Sequence, residues 1–244
     1  MTPKCSLSFF QEYRVLSRFL LSLEESTLLR KLTSLQVISD YFGVVKLSEN
    51  KFDSTAQSYL ILTDATSSFR KPCVMDLKMG QKTFEPDALP AKRAREIKKY
   101  PLQYKLGFRI VGMRTFDPET LEYHSYDKKF GRSLTSQKLV HEAFRKFFPL
   151  LESREGSKKT TNIIAGILEV LKDLKEWLEE NRSFVFFSSS LLLVFEGENV
   201  VSGSCKYSVK MIDFAHVRRD LDGDAGYLCG VEKLMFILKS ITQH

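Results

Sequence analysis

Residues 72–80 read Pro-Cys-Val-Met-Asp-Leu-Lys-Met-Gly, and this stretch narrows the fold and chemistry of the chain more than any other. Side chains alternate between two faces of an extended strand, so Asp76 and Lys78 are expected to point the same way. A carboxylate beside an ammonium group can handle a proton and a phosphoryl oxygen at one place. Gly80 permits a tight turn or a close backbone approach after the strand. An isolated Asp-x-Lys pair is also typical of a surface ion pair on an edge strand.

The composition is that of an ordinary globular protein, with 244 residues, 43% of them hydrophobic and 27% charged. A chain of this length can form one large domain or two lobes that share a cleft. The net charge of +7 indicates an anionic partner, which could be a nucleic acid, a membrane surface or a phosphorylated small molecule. A basic but merely solvated surface is the alternative explanation of this charge.

Membrane insertion, export and zinc binding are not expected. The longest apolar region, residues 184–195, is interrupted by three serines and is too short to cross a bilayer, and the N-terminus does not resemble a signal peptide. The four cysteines have no Cys-x-x-Cys spacing and the four histidines are scattered, which disfavours a zinc site. These features predict reduced thiols and a cytoplasmic or nuclear location, or both.

The first part of the chain is predicted to form a small antiparallel lobe. Leucines at helical spacing between residues 28 and 35 indicate a short amphipathic helix. Tyr41–Leu47 and residues 59–62 are expected to be strands joined by a polar hairpin loop at residues 48–55. An aperiodic hinge then follows, so we assign residues 1–66 to an N-lobe.

Residues 67–244 are assigned to a larger C-lobe, because helical patterns and charge increase after the hinge. Helices are predicted at residues 89–100, 136–148, 161–181 and 225–241, and strands at residues 107–116, 184–187, 191–196 and 208–215. The helix at residues 89–100 is basic and lies between prolines that suit its first turn and its end.

Four motifs together resemble the inositol polyphosphate kinase family. Residues 72–80 fit its P-x-x-x-D-x-K-x-G signature, and Ser-Ser-Ser-Leu-Leu at residues 188–192 is similar to its S-S-L-L motif. Ile-Asp-Phe at residues 212–214 and Asp-Ala-Gly-Tyr-Leu-Cys-Gly at residues 224–230 fit its I-D-F and D-x-G-Y-x-x-G motifs. The resemblance covers roughly residues 40–242. It implies an α+β, two-lobed fold like that of protein kinases, and ATP-dependent phosphoryl transfer to an inositol phosphate.

The resemblance also implies catalytic and metal-binding roles. Asp76 would orient or deprotonate the acceptor, and Lys78 would neutralise the transferring phosphoryl group. Asp213 and Ser190 would hold Mg²⁺, which takes oxygen ligands and bridges nucleotide phosphates. Asp213 taken alone could equally be a turn-forming carboxylate.

Two further positions are assigned to ATP by the resemblance. Asp64 follows the second strand and would accept hydrogen bonds from the ribose hydroxyls, although a loop aspartate that faces water is nearly as good an interpretation. Arg18 lies where family members carry a lysine that reaches the ATP phosphates. The family's glycine-containing Q-V-G-G-H stretch is not found, so the resemblance implies an N-lobe without it.

The substrate site is predicted around residues 86–101. Lys92, Arg95 and Lys99 share one face of the basic helix, which suits a ring that carries several phosphates, since long cationic side chains can follow a crowded anion. Without the family, such a face is also typical of a solvated surface or a nucleic-acid patch. The complete set of predicted substrate contacts is Lys82, Lys92, Arg95, Lys99, Arg114 and His216.

The motifs do not decide which inositol phosphate accepts the phosphoryl group. Residues 72–80 and 188–192 look closest to inositol hexakisphosphate kinases, which make pyrophosphates, so we expect phosphorylation of inositol hexakisphosphate to a diphosphoinositol pentakisphosphate. Residues 99–102 and 131–135 look more like the inositol polyphosphate multikinase, so a multikinase that acts on inositol trisphosphate or tetrakisphosphate is the alternative. A hybrid that phosphorylates both inositol hexakisphosphate and ring hydroxyls of lower inositol phosphates fits both sets of motifs. A non-catalytic module that binds inositol phosphates or RNA is the third interpretation. For the kinase we expect ATP and inositol polyphosphates as partners, no nucleic acid, and a monomer.

Overall fold

The computed structural model describes residues 5–8, 27–47, 57–152, 156–198 and 205–243. Its strands are β1 (Cys5–Ser8), β2 (Tyr41–Leu47), β3 (Gln57–Thr63), β4 (Pro72–Met79), β5 (Phe108–Asp117), β6 (Glu122–Tyr126), β7 (Phe184–Phe186), β8 (Ser190–Glu196), β9 (Tyr207–Ile212) and β10 (Val217–Arg219). Its α-helices are α1 (Thr27–Ser34), α2 (Pro90–Lys99), α3 (Gln103–Leu106), α4 (Lys128–Ser133), α5 (Gln137–Phe147), α6 (Ser157–Glu180) and α7 (Ala225–Ile241), with a 3-10 turn at Pro149–Glu152.

A three-stranded antiparallel sheet in the order β1-β3-β2 contains the two strands predicted for the first part of the chain. The pairing of β2 with β3 confirms their antiparallel arrangement, and the register shifts next to Gly43, whose φ is 121°. Strand β1 was not expected. The predicted hairpin loop at residues 48–55 lies outside the described residues.

A five-stranded antiparallel sheet in the order β6-β5-β4-β8-β9 places the signature strand β4 at its centre. Burial alternates along β4, so that Cys73, Met75, Leu77 and Met79 are fully buried while the intervening residues are half-buried. The buried face belongs to the hydrophobic core, against which α7 packs. Asp76 and Lys78 therefore lie on the opposite face, as the period of two predicts.

Helices α6 and α7 contact each other and complete this core. Trp177 of α6 and Tyr227 of α7 are fully buried. The centroid of each ring lies 6.0 Å from the ring centroid of Phe186. The predicted helices at residues 136–148 and 161–181 are confirmed with shifts at their ends, and the helix at residues 225–241 has the bounds that were predicted. No helix in the described part of the chain is both long and apolar enough to cross a membrane.

The strand predicted at residues 208–215 is shorter in the structure. It ends at Ile212 because Asp213 adopts a φ of 63°, a left-handed conformation that a strand cannot contain. Short elements at α3, α4, β6 and β10 also escaped prediction, since each has six residues or fewer and shows no clear period. The mixed helices and antiparallel sheets confirm the α+β class. The lobe boundary at residue 66 falls between β3 and β4 and stays a prediction.

Candidate active site

Four neighbouring strands bring three of the predicted site residues, and one residue that was not predicted, into one row. Lys78 on β4 lies opposite Arg109 on β5 and opposite Ser190 on β8. Ser190 in turn lies opposite Ile212, the last residue of β9. Asp213 follows directly, so the strand pairing carries it to the β9 end of the row.

Lys78 is held by the turn that precedes β8. Its Nζ donates a hydrogen bond of 2.9 Å to the carbonyl oxygen of Ser188, a residue with a φ of 57°. Burial lowers the pKa of Lys78, and the positive charge of Arg109 lowers it further, against the opposing charges of Asp213 and Asp76. The ammonium group is therefore fixed in position, with the charges of Arg109, Asp76 and Asp213 around it.

Asp76 is the second polar side chain on this face of β4. Burial raises its pKa, and the negative charge of Asp213 acts in the same direction, while the neighbouring Ser190 hydroxyl and the charges of Lys78 and Arg109 oppose the rise. Asp76 Oδ1 and Ser190 Oγ are both buried and have no hydrogen-bond partner in the described residues. Buried polar atoms without partners are costly, so both atoms are suited to a ligand.

The donor set at this place fits a hard divalent cation. A hydroxyl and two carboxylates are oxygen ligands of the kind that Mg²⁺ takes, usually together with waters and phosphate oxygens. Asp213 is exposed, and its left-handed backbone turns it out of the strand. The described ranges contain no ready-made group of three or more His, Cys, Asp or Glu ligands.

Helix α2 forms an exposed basic surface beyond the signature strand. It begins at Pro90, and none of its residues is buried. Lys92, Arg95 and Lys99 lie on one side of it, as their spacing predicts. Lys82 lies in the loop between β4 and α2 and is exposed as well. The structure therefore brings these four predicted substrate contacts into one segment.

Glu96 places a negative charge inside this basic surface. Its carboxylate pairs with Lys99 and lies 3.8 Å from Arg95, and Thr83 Oγ1 donates to it at 3.4 Å. Although burial opposes the shift, the hydrogen bond from Lys99 and the surrounding cations hold the pKa of Glu96 below its usual range. Two of the predicted phosphate contacts are thus partly neutralised by a carboxylate of the same helix.

His216 lies against the segment that leads into α2, and its ring contacts a carboxylate of that segment. His216 Nδ1 lies 2.6 Å from Glu85 Oε1, and Arg218 pairs with Glu85 and, at 2.9 Å, with Asp87. This cluster of His216, Arg218, Glu85 and Asp87, the acidic clasp, joins the loop after β4 to β10. A role of His216 in substrate binding stays a prediction.

Arg114 and Asp64 make contacts of their own outside the row of Arg109, Lys78, Ser190 and Asp213. The guanidinium of Arg114 stacks over the ring of Tyr123, 4.7 Å from its centroid, and its backbone pairs with Val74 rather than with Asp76 or Lys78. Asp64 Oδ1 accepts hydrogen bonds from the backbone N and the Oγ1 of Thr66, at 2.8 and 2.7 Å, and so begins the turn after β3. Arg18 lies outside the described residues. The roles predicted for these three residues remain untested.

Arg109 and Gln103 are the site residues that sequence reasoning missed. Gln103 is buried, and its Nε2 donates to the carbonyl oxygens of Lys78 (3.1 Å) and Gly80 (2.7 Å). Its Oε1 accepts a hydrogen bond of 3.2 Å from Arg109 Nη1. Phe108 and Ile110, the buried neighbours of Arg109, are a signal in the sequence for the face of β5 that carries Arg109, but they do not show that β5 pairs with β4.

Comparison with known proteins gives consistent results. A family model described as inositol polyphosphate kinase matches residues 59–239. The inositol polyphosphate multikinase of Homo sapiens is 33% identical over 141 residues, which cover 58% of this chain and 32% of that protein. Inositol hexakisphosphate kinase 3 of Mus musculus is 31% identical over 208 residues, covering 76% of this chain and 51% of that protein. The chain therefore spans about a third to a half of the length of these relatives.

The fold has a counterpart among solved structures. The inositol phosphate multikinase Ipk2 of S. cerevisiae, crystallised with ADP and Mn²⁺, superposes with a TM-score of 0.73 at 23% sequence identity. The match covers 97% of this chain and 98% of that one. At this level of identity the likeness concerns the fold alone, and it supports the kinase-like architecture.

Proposed function

The chain belongs to the inositol polyphosphate kinase family, and we propose that it transfers the γ-phosphoryl group of ATP to an inositol polyphosphate. The observation that carries this proposal is the row across the sheet. Lys78, Ser190 and Asp213 come from three separate strands or strand ends and meet beside Asp76. Both names among the relatives compared above, multikinase and hexakisphosphate kinase, agree with this reaction class.

Phosphoryl transfer requires mainly positioning and neutralisation of charge. An oxygen of the acceptor forms a bond to the γ-phosphorus while the bond from that phosphorus to the bridging oxygen breaks, and the electron pair leaves with ADP. Lys78 would neutralise the transferring group from its fixed position under the turn at Ser188. Asp76 would accept the proton of a hydroxyl acceptor, and because burial raises its pKa it is a stronger base than an ordinary aspartate.

Asp213 and Ser190 would hold the divalent cation, with Asp76 close by. The unpartnered, buried Oγ of Ser190 and the exposed carboxylate of Asp213 favour this assignment. When bound, such a cation neutralises the charge on the β- and γ-phosphates. The ADP and Mn²⁺ in the yeast multikinase structure support the use of a nucleotide and a divalent metal. For the nucleotide itself we propose contacts from Asp64 and Arg18.

For the acceptor we propose inositol hexakisphosphate, held by Lys82, Lys92, Arg95 and Lys99. The exposed basic side of α2 next to the row supports an acceptor that carries many phosphates. Phosphorylation of ring hydroxyls on inositol trisphosphate or tetrakisphosphate is the second candidate. It is favoured by the identity to the human multikinase, and by Glu96, which reduces the positive charge of that surface.

An assay with radiolabelled ATP tests the proposal. Purified protein and Mg²⁺ are incubated separately with inositol trisphosphate, tetrakisphosphate and hexakisphosphate, and the products are separated by chromatography. We expect a labelled product that disappears when Mg²⁺ is chelated. Retained binding of inositol hexakisphosphate without any product would overturn the kinase assignment in favour of a non-catalytic module. A steep salt dependence of RNA binding without competition by inositol phosphates would indicate a nucleic-acid binder instead.

A further inference from the structure

We propose that Arg109 is a specificity-determining residue that, together with Lys78, seats a phosphate as the acceptor and so favours formation of a pyrophosphate over phosphorylation of a ring hydroxyl. The inference rests on the proposed kinase function and names the feature that selects its substrate. It follows from the place of Arg109 in the sheet, from its surroundings and from the hydrogen bonds that fix it.

Arg109 and Lys78 are two cations directly opposite each other on neighbouring strands, and both side chains are half-buried. Like charges in this arrangement repel each other, and partial burial weakens the screening by water. No carboxylate among the described residues forms an ion pair with either cation, although Asp76 and Glu96 act on both of them, and Asp213 acts on Lys78, from a greater distance. A bound anion between the two cations would relieve this repulsion.

The position of Arg109 within the row assigns this anion to the acceptor. Asp213 and Ser190 lie on the β8 and β9 side of Lys78, where the cation and the nucleotide phosphates are proposed to bind. Arg109 lies on the other side of Lys78, on β5, where Glu96 of the basic helix is the strongest charge acting on it. It therefore stands between the reacting centre and the proposed inositol phosphate surface.

Gln103 holds this pair of cations in place. The same buried side chain accepts a hydrogen bond from Arg109 Nη1 and donates to the carbonyl oxygen of Lys78. The guanidinium group has five N–H donors, and within the described residues it donates only to Gln103. The remaining donors can form the two parallel hydrogen bonds that arginine makes to phosphate oxygens.

The two kinds of acceptor need different help from the protein. A phosphate acceptor is already ionised, so its oxygen bonds to the γ-phosphorus and the electron pair of the bridging bond leaves with ADP without any proton transfer. Its difficulty is the repulsion between two phosphates, which a second cation beside Lys78 reduces. A ring hydroxyl is neutral and must instead give its proton to Asp76. The charge of Arg109 therefore assists the phosphate acceptor more than the hydroxyl.

The test compares Arg109→Gln and Arg109→Lys with wild type. Initial rates are measured with inositol hexakisphosphate and with inositol tetrakisphosphate, and kcat and KM are determined separately. Arg109→Gln should lower kcat/KM for the hexakisphosphate about tenfold or more relative to the tetrakisphosphate, the loss expected for one hydrogen bond between charged groups. Arg109→Lys keeps the positive charge but cannot form two parallel hydrogen bonds to a phosphate, so its kcat/KM for the hexakisphosphate should fall less. Lys172→Gln, an exposed charge change on α6, is the matched control and should change neither rate.

Several results would overturn the inference. Equal losses on both acceptors, or no loss on the hexakisphosphate, would reject it, as would a wild type that phosphorylates hydroxyls only. If the wild type accepts phosphate acceptors only, Arg109→Gln must lose that activity while it still binds a non-hydrolysable ATP analogue. If Arg109→Gln does not fold, the ratio of kcat/KM on the hexakisphosphate to kcat/KM on the tetrakisphosphate is measured for Arg109→Lys instead, and an unchanged ratio rejects the inference. A wild type without any product refutes the proposed function rather than this inference.

Discussion

The negative charge of Asp213 acts on Lys78 from the other side of Ser190, although the two residues lie far apart in the sequence. The antiparallel pairing of β4 with β8 and of β8 with β9 produces this relationship. It places an ammonium group and an exposed carboxylate around a buried, unpartnered hydroxyl. Such a grouping can organise a metal-bound polyphosphate, and the predictions below test its parts.

Replacing Asp213 by Asn should remove most of the activity. If Asp213 holds the divalent cation, the variant should lose about two to three powers of ten in kcat, the range found when one preorganised electrostatic group is removed. The rate should be measured against Mg²⁺ concentration, because weaker metal binding moves the midpoint upward. Asp173→Asn on α6 is the control, since that carboxylate is exposed. An unchanged rate and midpoint would show that Asp213 does not bind the metal.

Asp76→Asn should harm hydroxyl phosphorylation more than pyrophosphate formation. A phosphate acceptor is ionised at pH 7, whereas a ring hydroxyl must lose a proton, and Asp76 is the carboxylate placed to take it. The measurement is the ratio of kcat on inositol tetrakisphosphate to kcat on inositol hexakisphosphate. This ratio should fall in Asp76→Asn and rise in Arg109→Gln. Equal loss on both acceptors would reject the division of roles.

Asp76→Asn should also stabilise the fold at neutral pH. Burial raises the pKa of Asp76 in the folded state, so between the unfolded pKa of about 3.9 and the folded pKa the native state binds more protons than the unfolded chain. Stability therefore falls as pH rises through this window, and the cost persists at pH 7. Thermal unfolding should give a higher Tm for Asp76→Asn than for wild type at pH 7, with little difference near pH 4. A lower Tm at pH 7, with Asp173→Asn unchanged, would contradict the assignment.

Glu85→Gln tests the acidic clasp. The substitution removes the carboxylate that engages His216 and Arg218, so the ring of His216 becomes available to an anionic substrate while Arg218 keeps its contact with Asp87. If His216 contacts the substrate, KM for the inositol polyphosphate should fall by a factor of about two to five, the size that an exposed ion pair permits. Asp87→Asn is the control, because Asp87 pairs with Arg218 only. An unchanged KM in Glu85→Gln would place His216 outside the substrate site.

Gly107→Ala should destabilise the fold. Gly107 has a φ of 70°, and an added Cβ would lie 2.4 Å from the backbone N of Gly230 in α7. A left-handed alanine costs about 1–2 kcal/mol, and overpacking of a tight contact costs roughly 1–3 kcal/mol more. Urea unfolding measures the loss. Gly112→Ala, within the strand β5 that follows Gly107, is the control, because the nearest neighbour of its added Cβ would be 3.8 Å away. Equal losses would mean that the close approach to α7 is not the cause.

Much of the secondary structure could be predicted because it depends on near neighbours. The helix Ala225–Ile241 and the strand Tyr41–Leu47 were predicted with the bounds that the structure shows. The end of β9 was placed three residues too late, since the left-handed turn at Asp213 leaves no trace in the hydrophobic pattern. The acidic clasp was also invisible, because its members lie far apart in the chain and meet only across two loops.

The sequence by itself determined which side chains share a face. The period of two puts Asp76 and Lys78 on one side of a strand, and helical spacing puts Lys92, Arg95 and Lys99 on one side of a helix. Only the tertiary structure decided which strands stand beside β4 and in what register, because that register depends on burying one face of the sheet in a core built by distant helices. For this reason Arg109, and not Arg114, lies opposite Lys78.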